Sequence, residues 1–320
     1  PGLDGLIAAN AASRAIDPCA LHDVAAAEQV TGMKAQVLLP GTFNLASCDL
    51  EVGPPGDALD AWRMVTTAGV RLDDGTIKKA TPEKIGDLSV LHVPEVVRSK
   101  DACTYMLENS PKGGAVPVRT ALELSVTREE TKQEKAPCQV AKDYLTAVIK
   151  YWIQPAYRSD KLTLPALPIG HVDPCAGLAA VAPAMGGRIQ VRPSSASPYD
   201  CTGIPAKLEP GMNPMQVTVA LKFKGDPREA LQNEKTSQGG KIKPVTVAGH
   251  TGTLTETAAD PRSPKLGGSC AVNVVVDDAV GVAEFADKPN ATKNLQVVST
   301  TADTCELAQK AAESVMATIH

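Results

Sequence analysis

The chain has 320 residues, of which 43% are hydrophobic and only 3% aromatic, and its formal net charge is −4. That length allows two or three domains, each with its own core, and the hydrophobic fraction excludes a disordered chain. Scattered Lys and Arg within an acidic balance exclude the basic footprint of a nucleic-acid binder and adsorption to anionic lipid, and no apolar run approaches the roughly 18 residues of a membrane span.

Residues 1–16 lead into the first recognisable element. They lack a charged segment followed by an apolar stretch, and the expectation is a signal, lipid anchor or membrane helix upstream of Pro1. Asp17-Pro18-Cys19-Ala20 then reads as a helix start, with Asp capping the free amides and Pro at the first helical position. Leu21, Val24, Ala27 and Val30 continue it, and Gly32 closes it. Strand-like sequence follows at Cys48–Val52, at 62–70, at 88–98, after Cys103 and at 119–127. Gly113-Gly114 and the charged stretch Arg128 to Lys135 read as exposed loops. After Cys138, residues Ala141, Leu145, Val148 and Trp152 recur at helical spacing.

Residues 155–170 carry three prolines and no periodicity, which predicts an extended linker. The pattern then repeats. Asp173-Pro174-Cys175-Ala176 opens a second Ala-rich segment through Leu178, Val181 and Met185 to Gly186, with Pro183 predicting a short or kinked helix. Strand candidates follow at 215–223, 243–256, Cys270–Val276 and 293–299, with Gly239-Gly240 in an exposed loop. Ala308, Ala312, Val315 and Ile319 follow Cys305 as their counterparts follow Cys138, and Asp303 with Glu306 forms a capping pattern. The expected fold is α+β: two tandem similar domains, 1–154 and 171–320. Each has a mostly antiparallel sheet with N- and C-terminal helices packed on it.

The eight cysteines fall four to a domain: Cys19, Cys48, Cys103 and Cys138, then Cys175, Cys201, Cys270 and Cys305. No close pair of the zinc-site kind exists, so disulfides in an oxidising compartment are expected and no metal is assigned. Four cysteines allow three connectivities. Pairing first with second and third with fourth gives Cys19–Cys48, Cys103–Cys138, Cys175–Cys201 and Cys270–Cys305, each tying a helix start to a strand; the main rival joins the two helix starts and the two strands. The last two cysteines of each set share a spacing of 35 residues. A cysteine in the first turn of a helix has a lowered pKa when free, which allows a redox role, but redox pairs usually lie close in sequence and none here do.

No nucleophile elbow, zinc helix, phosphate loop or dinucleotide fingerprint is present, so no catalytic residue and no cofactor is assigned. His22, His92, His171, His250 and His320 are spread singly. Asp73-Asp74 and Asp277-Asp278 lack calcium-loop spacing and read as solvated turns, while Asn290-Ala291-Thr292 is a glycosylation acceptor only in a eukaryotic secretory pathway and a loop in a bacterial protein. Among the scarce aromatics Trp62, Tyr105, Tyr144, Tyr151, Trp152 and Tyr157, the pair Trp152 and Tyr157 flanks the linker. Trp152 reads as a core or seam residue, and the two together are the binding candidates for an aromatic-lined interdomain cleft.

The Asp-Pro-Cys helix start, the strand cysteine and the late cysteine opening an Ala-rich helix resemble a family of actinobacterial cell-envelope proteins, many of them lipoproteins. Where many of those carry Trp after the second cysteine, this chain has Asp49-Leu50 and Thr202-Gly203. The resemblance implies an extracytoplasmic, membrane-tethered domain and supplies no catalytic residue. The function expected is therefore a non-enzymatic binding or sensor domain whose partner is an envelope protein, a glycan or a lipid. A carrier enclosing an apolar ligand and an envelope hydrolase are the alternatives.

Overall fold

The computed structural model describes residues 3–41, 44–54, 60–94, 102–110, 118–128, 135–158, 167–206, 216–232, 240–258, 268–277 and 294–319. Gly113-Gly114, Gly239, Asp278, Asn290-Ala291-Thr292, His320 and most of the charged stretch after Arg128 lie outside them. The chain divides into two compact units, the first chiefly Pro1–Ala166 and the second chiefly from Leu167 onward. The change falls within the stretch 155–170, whose ends are bound rather than free. Asp17 N–H donates to Ala156 O and Arg158 N–H to Ala15 O in the first unit. In the second, Ile169 N–H donates to Gln296 Oε1 and Tyr199 OH to Gly170 O.

The fold is α+β in tandem, as expected from the repeat. The first unit runs α1 (Leu3–Ala15), α2 (Val24–Thr31), β1 (Ala35–Pro40), β2 (Ser47–Val52), β3 (Trp62–Arg71), α3 (Asp74–Lys79), β4 (Thr81–Ile85), β5 (Leu88–Val93), β6 (Ala102–Glu108), β7 (Thr120–Thr127) and α4 (Pro137–Ile153). The second runs β8 (Ile189–Pro193), β9 (Asp200–Pro205), β10 (Val217–Gly225), β11 (Lys241–Val247), β12 (His250–Thr257), β13 (Ser269–Asp277), β14 (Asn294–Ala302) and α5 (Cys305–Met316). Each unit has one antiparallel sheet, ordered β1-β2-β3-β7-β6-β5-β4 and β8-β9-β10-β14-β13-β12-β11 among the described residues. The two orders are the same topology, strand for strand, so the repeat extends well beyond the cysteines.

The elements differ from their sequence signals where local chemistry intervenes. The segment before Asp17 is not a mere lead-in: Leu3–Ala15 forms α1, which buries Ala9, Asn10, Ser13 and Arg14. The first Asp-Pro-Cys does not start one long helix. Asp17 Oδ1 accepts from Cys19 N–H and closes a 3₁₀ turn, Pro18–Leu21; a second cap, Asp23, then opens α2, and Gly32 closes it in the left-handed region. In the second unit, Pro183 leaves only the 3₁₀ segment Leu178–Met185. The stretch 243–256 is two strands, because Ala248 and Gly249 both adopt positive φ in a two-residue turn. Asp303 does not cap α5. Thr304 does, accepting from Leu307 N–H, while Asp303 accepts from Gln216 N–H. Asp73 caps α3.

One core forms between α4 and the strands it covers. Val140, Ala141, Tyr144, Leu145, Val148 and Trp152 line the buried stripe of α4 and meet Leu50, Met64, Leu122 and Leu124. The counterpart stripe on α5 is Leu307, Ala308, Ala311, Ala312, Val315 and Met316. Smaller side chains on α5 follow from the sequence's shortage of aromatics. The four disulfides Cys19–Cys48, Cys103–Cys138, Cys175–Cys201 and Cys270–Cys305 close sequence separations of 29, 35, 26 and 35 residues. Each bridge contributes roughly 3–4 kcal/mol by constraining the unfolded chain.

Candidate functional site

Strand periodicity builds one polar cluster in the first unit. His92 on β5 pairs directly with Tyr105 on β6, so both side chains stand on one face. Cys103 lies two residues before Tyr105 and shares that face. Thr81 on β4 pairs with His92, which puts Glu83, two residues on, on the same face as well. Helix α4 covers this corner, and its first turn brings Cys138 to Cys103. Lys142, one helical turn later, points the same way.

The result is a continuous polar relay ending at sulfur. His92 Nε2 lies 3.5 Å from Cys103 Sγ and 3.6 Å from Cys138 Sγ. The other ring nitrogen, Nδ1, lies 3.5 Å from Glu83 Oε1. Glu83 Oε2 accepts from Tyr105 OH at 3.3 Å and from Lys142 Nζ at 3.2 Å. Burial, reinforced by the Glu83 charge, pushes the Tyr105 phenol up to about 12, so it stays a proton donor at neutral pH. The His92 and Glu83 side chains are each 26% exposed, which leaves the corner reachable from solvent. Cys103 is buried, and Cys138, in the opening turn of α4, is partly exposed.

The chemistry available here depends on the sulfurs. As a disulfide they bind each other and ligate nothing. Reduced, Cys103 and Cys138 would offer two soft thiolate sulfurs and His92 an imidazole nitrogen, atoms that now lie within 4.8 Å of one another. A nucleophilic hydroxyl does not occupy the position opposite His92: a disulfide does, so the Glu83–His92 pair does not form a serine triad.

The register identifies the equivalent positions in the second unit. Cys270 pairs with Glu256 and Val272 with Leu254, so Leu254 replaces His92 and Val272 replaces Tyr105. Leu254 pairs with Lys243, which puts Val245 at the place of Glu83. Gln309, four residues after Cys305, replaces Lys142. The second disulfide of each unit is thus built alike, but the polar relay is confined to the first. A cavity of about 480 Å³ lies beside Cys270–Cys305 instead, lined by Lys241, Glu256, Ser269, Asp303 and Thr304 among others.

Other polar groups have structural settings. His22 is buried and hydrogen-bonds Tyr144 and Cys48 O. Lys224 Nζ and Ser299 Oγ both donate to Asn273 Oδ1, and burial lowers the Lys224 ammonium to about 8. Trp152 is inside the first unit's core, where Nε1–H donates to Leu21 O. Tyr157 is 52% exposed, and its backbone bridges to Ile16. Trp152 is therefore closed to a ligand by its own domain's packing. The sequence singled out neither His92 nor Glu83. Their signal is the hairpin that aligns them, and β4, exposed along most of its length, carries no strand pattern of its own.

No protein-family model matches the chain, and no curated protein sequence does. A search of solved structures returns the crystal structure of the di-domain ARO/CYC StfQ from the steffimycin biosynthetic pathway. It shares 10% sequence identity, with 95% of this chain and 91% of that chain covered and a TM-score of 0.16. A likeness of that degree carries no argument about this chain.

Proposed function

We propose that the chain is an extracytoplasmic binding module of the bacterial cell envelope, tethered to the membrane, in which the second unit carries the ligand cleft. Four disulfides fit an oxidising environment. No helix among the described residues is long and apolar enough to cross a membrane. The tether rests on the resemblance to envelope lipoproteins, which supplies the envelope partner class too.

The observation that carries the binding reading is the cavity beside Cys270–Cys305. Its lining mixes one ammonium, Lys241, with the carboxylates Glu256 and Asp303 and the hydroxyls Ser269 and Thr304. Such a lining suits a polar ligand with both charge signs and amide or hydroxyl groups. Soluble peptidoglycan fragments meet that description among envelope glycans. Titration calorimetry of the full chain with those fragments is the test. Saturable binding that weakens at least about tenfold in Lys241→Glu supports the reading. Binding of fatty acids without binding of the fragments overturns it in favour of an apolar-ligand carrier.

A further inference from the structure

We propose that Cys103–Cys138 is a thiol–disulfide exchange site, with Glu83–His92 as its proton relay, and that Cys270–Cys305 is its inert structural counterpart. The two bridges share strand, helix turn, sequence separation and fold position. Among the described residues, only the first has an imidazole nitrogen within 3.6 Å of both sulfurs. The second copy folds with Leu254, Val272, Val245 and Gln309 in the equivalent places, so this architecture does not require the relay. Four polar residues from three strands and a helix converge on one disulfide, and three of them, Glu83, His92 and Lys142, remain partly exposed.

The exchange runs with a dithiol as reductant. Its thiolate attacks Sγ of Cys138, the partly exposed residue of the pair, forming a mixed disulfide and releasing Cys103 as the leaving thiolate. Imidazolium at His92 gives the Nε2 proton to that sulfur, and the Glu83 carboxylate, 3.5 Å from Nδ1, orients the ring. The second thiol of the reductant attacks the mixed disulfide and releases Cys138. Cys138 lies in the opening turn of α4, where the positive end of the helix dipole favours a departing thiolate. Cys138 takes up the proton given up by the reductant's second thiol and His92 regains, through solvent, the proton of the first, so the protein gains two electrons and two protons and the reductant leaves as a disulfide. The reverse sequence reoxidises the site. None of this depends on the cleft of the second unit.

The test uses the oxidised full chain with dithiothreitol as the dithiol. Samples quenched with an alkylating agent at timed intervals and mapped by mass spectrometry give a separate rate for each bridge. Cys103–Cys138 is expected to open at least about tenfold faster than Cys270–Cys305, in line with the contribution of a positioned acid. His92→Leu, which installs the second copy's residue, should bring the two rates together. Glu83→Gln should slow opening several-fold and shift its pH profile while leaving Cys270–Cys305 unchanged, which a purely structural role would not do. Equal rates for the two bridges in the wild type, or a ratio untouched by both variants, overturns the proposal.

Discussion

His22 Nδ1 lies 2.9 Å from Tyr144 OH in the buried interior of the first unit. The phenol oxygen already accepts from Asp23 N–H, so its own hydrogen points to Nδ1. Nε2–H is left to donate to Cys48 O at 3.2 Å, beside Thr66 Oγ1 at 3.1 Å. This fixes a neutral imidazole in one tautomer. Burial depresses its pKa from 6.5 to about 4, against a smaller upward pull from the Cys48 carbonyl.

A pH-dependent stability follows, and its sign is set by which state holds the proton. Unfolded chains protonate His22 near 6.5, whereas the folded protein refuses the proton until about pH 4. Stability from this group is therefore complete above about 6.5 and declines as pH falls to about 4. The loss is on the order of 3 kcal/mol. Asp17, raised by burial, favours the folded state in the opposite sense at the acid end. Urea denaturation at pH 7, 5.5 and 4 measures the slope; a flat profile would show that His22 takes its proton in the folded state.

The second unit supplies the design of a control. Leu178, Val219 and Ala311 occupy the places of His22, Thr66 and Tyr144, by the spacing from the Asp-Pro-Cys turn, the β9–β10 register and the helix offset. All three are buried and apolar. Tyr144→Phe alone strands Nδ1 of His22 and should cost about 1–3 kcal/mol at pH 7. The triple variant His22→Leu, Thr66→Val, Tyr144→Phe should lose the acid slope. Its cost should fall below the sum of the three singles by at least about 1 kcal/mol, because partners are removed together. Additive costs would show that the three groups act independently.

Trp152 and Tyr157 separate core from surface. Trp152→Ala removes a buried ring from under the 3₁₀ turn and should cost roughly 3–5 kcal/mol. Trp152→Phe keeps most of the volume and strands Leu21 O, at about 1–2 kcal/mol. Tyr157→Ala should stay within about 1 kcal/mol of the wild type. Thermal unfolding of the three variants checks the order, and a Tyr157→Ala loss as large as that of Trp152→Ala would contradict the burial of one and exposure of the other.

The repeat was legible in sequence because its signals are local. An Asp-Pro-Cys turn, a Gly cap and an apolar stripe after Cys138 each act within a few residues, and the α+β fold follows from their order. The polar corner at Cys103–Cys138 was not legible. Glu83 and His92 meet only because Gly86 takes positive φ in the two-residue turn that aligns β4 with β5. Short β4, with Thr81, Glu83 and Lys84 exposed or partly exposed, shows no apolar alternation to announce itself. Helix α1 is hidden in the sequence for a similar reason. It buries Asn10, Ser13 and Arg14 and exposes Leu3 and Ile7, the reverse of the usual amphipathic signal.

That unusual helix makes a sharp prediction at Gly69. Its φ of +79° lies in the left-handed region, and a Cβ built there would sit 2.2 Å from Ser13 Oγ and 2.5 Å from Ser13 Cβ. The β3–β7 register shifts between Ala68 and Val70, so Gly69 is the bulged residue that lets α1 approach the sheet. Ser13 is held there by its own bond to Ala9 O at 2.8 Å. Gly69→Ala adds backbone strain of about 1–2 kcal/mol and a clash with a helix rather than with a free side-chain end. A total loss above about 2 kcal/mol is expected. Combining Gly69→Ala with Ser13→Gly should recover the steric part and leave the backbone part. Denaturant midpoints for the single and double variants measure the two separately; equal midpoints would mean that α1 does not rest on the bulge.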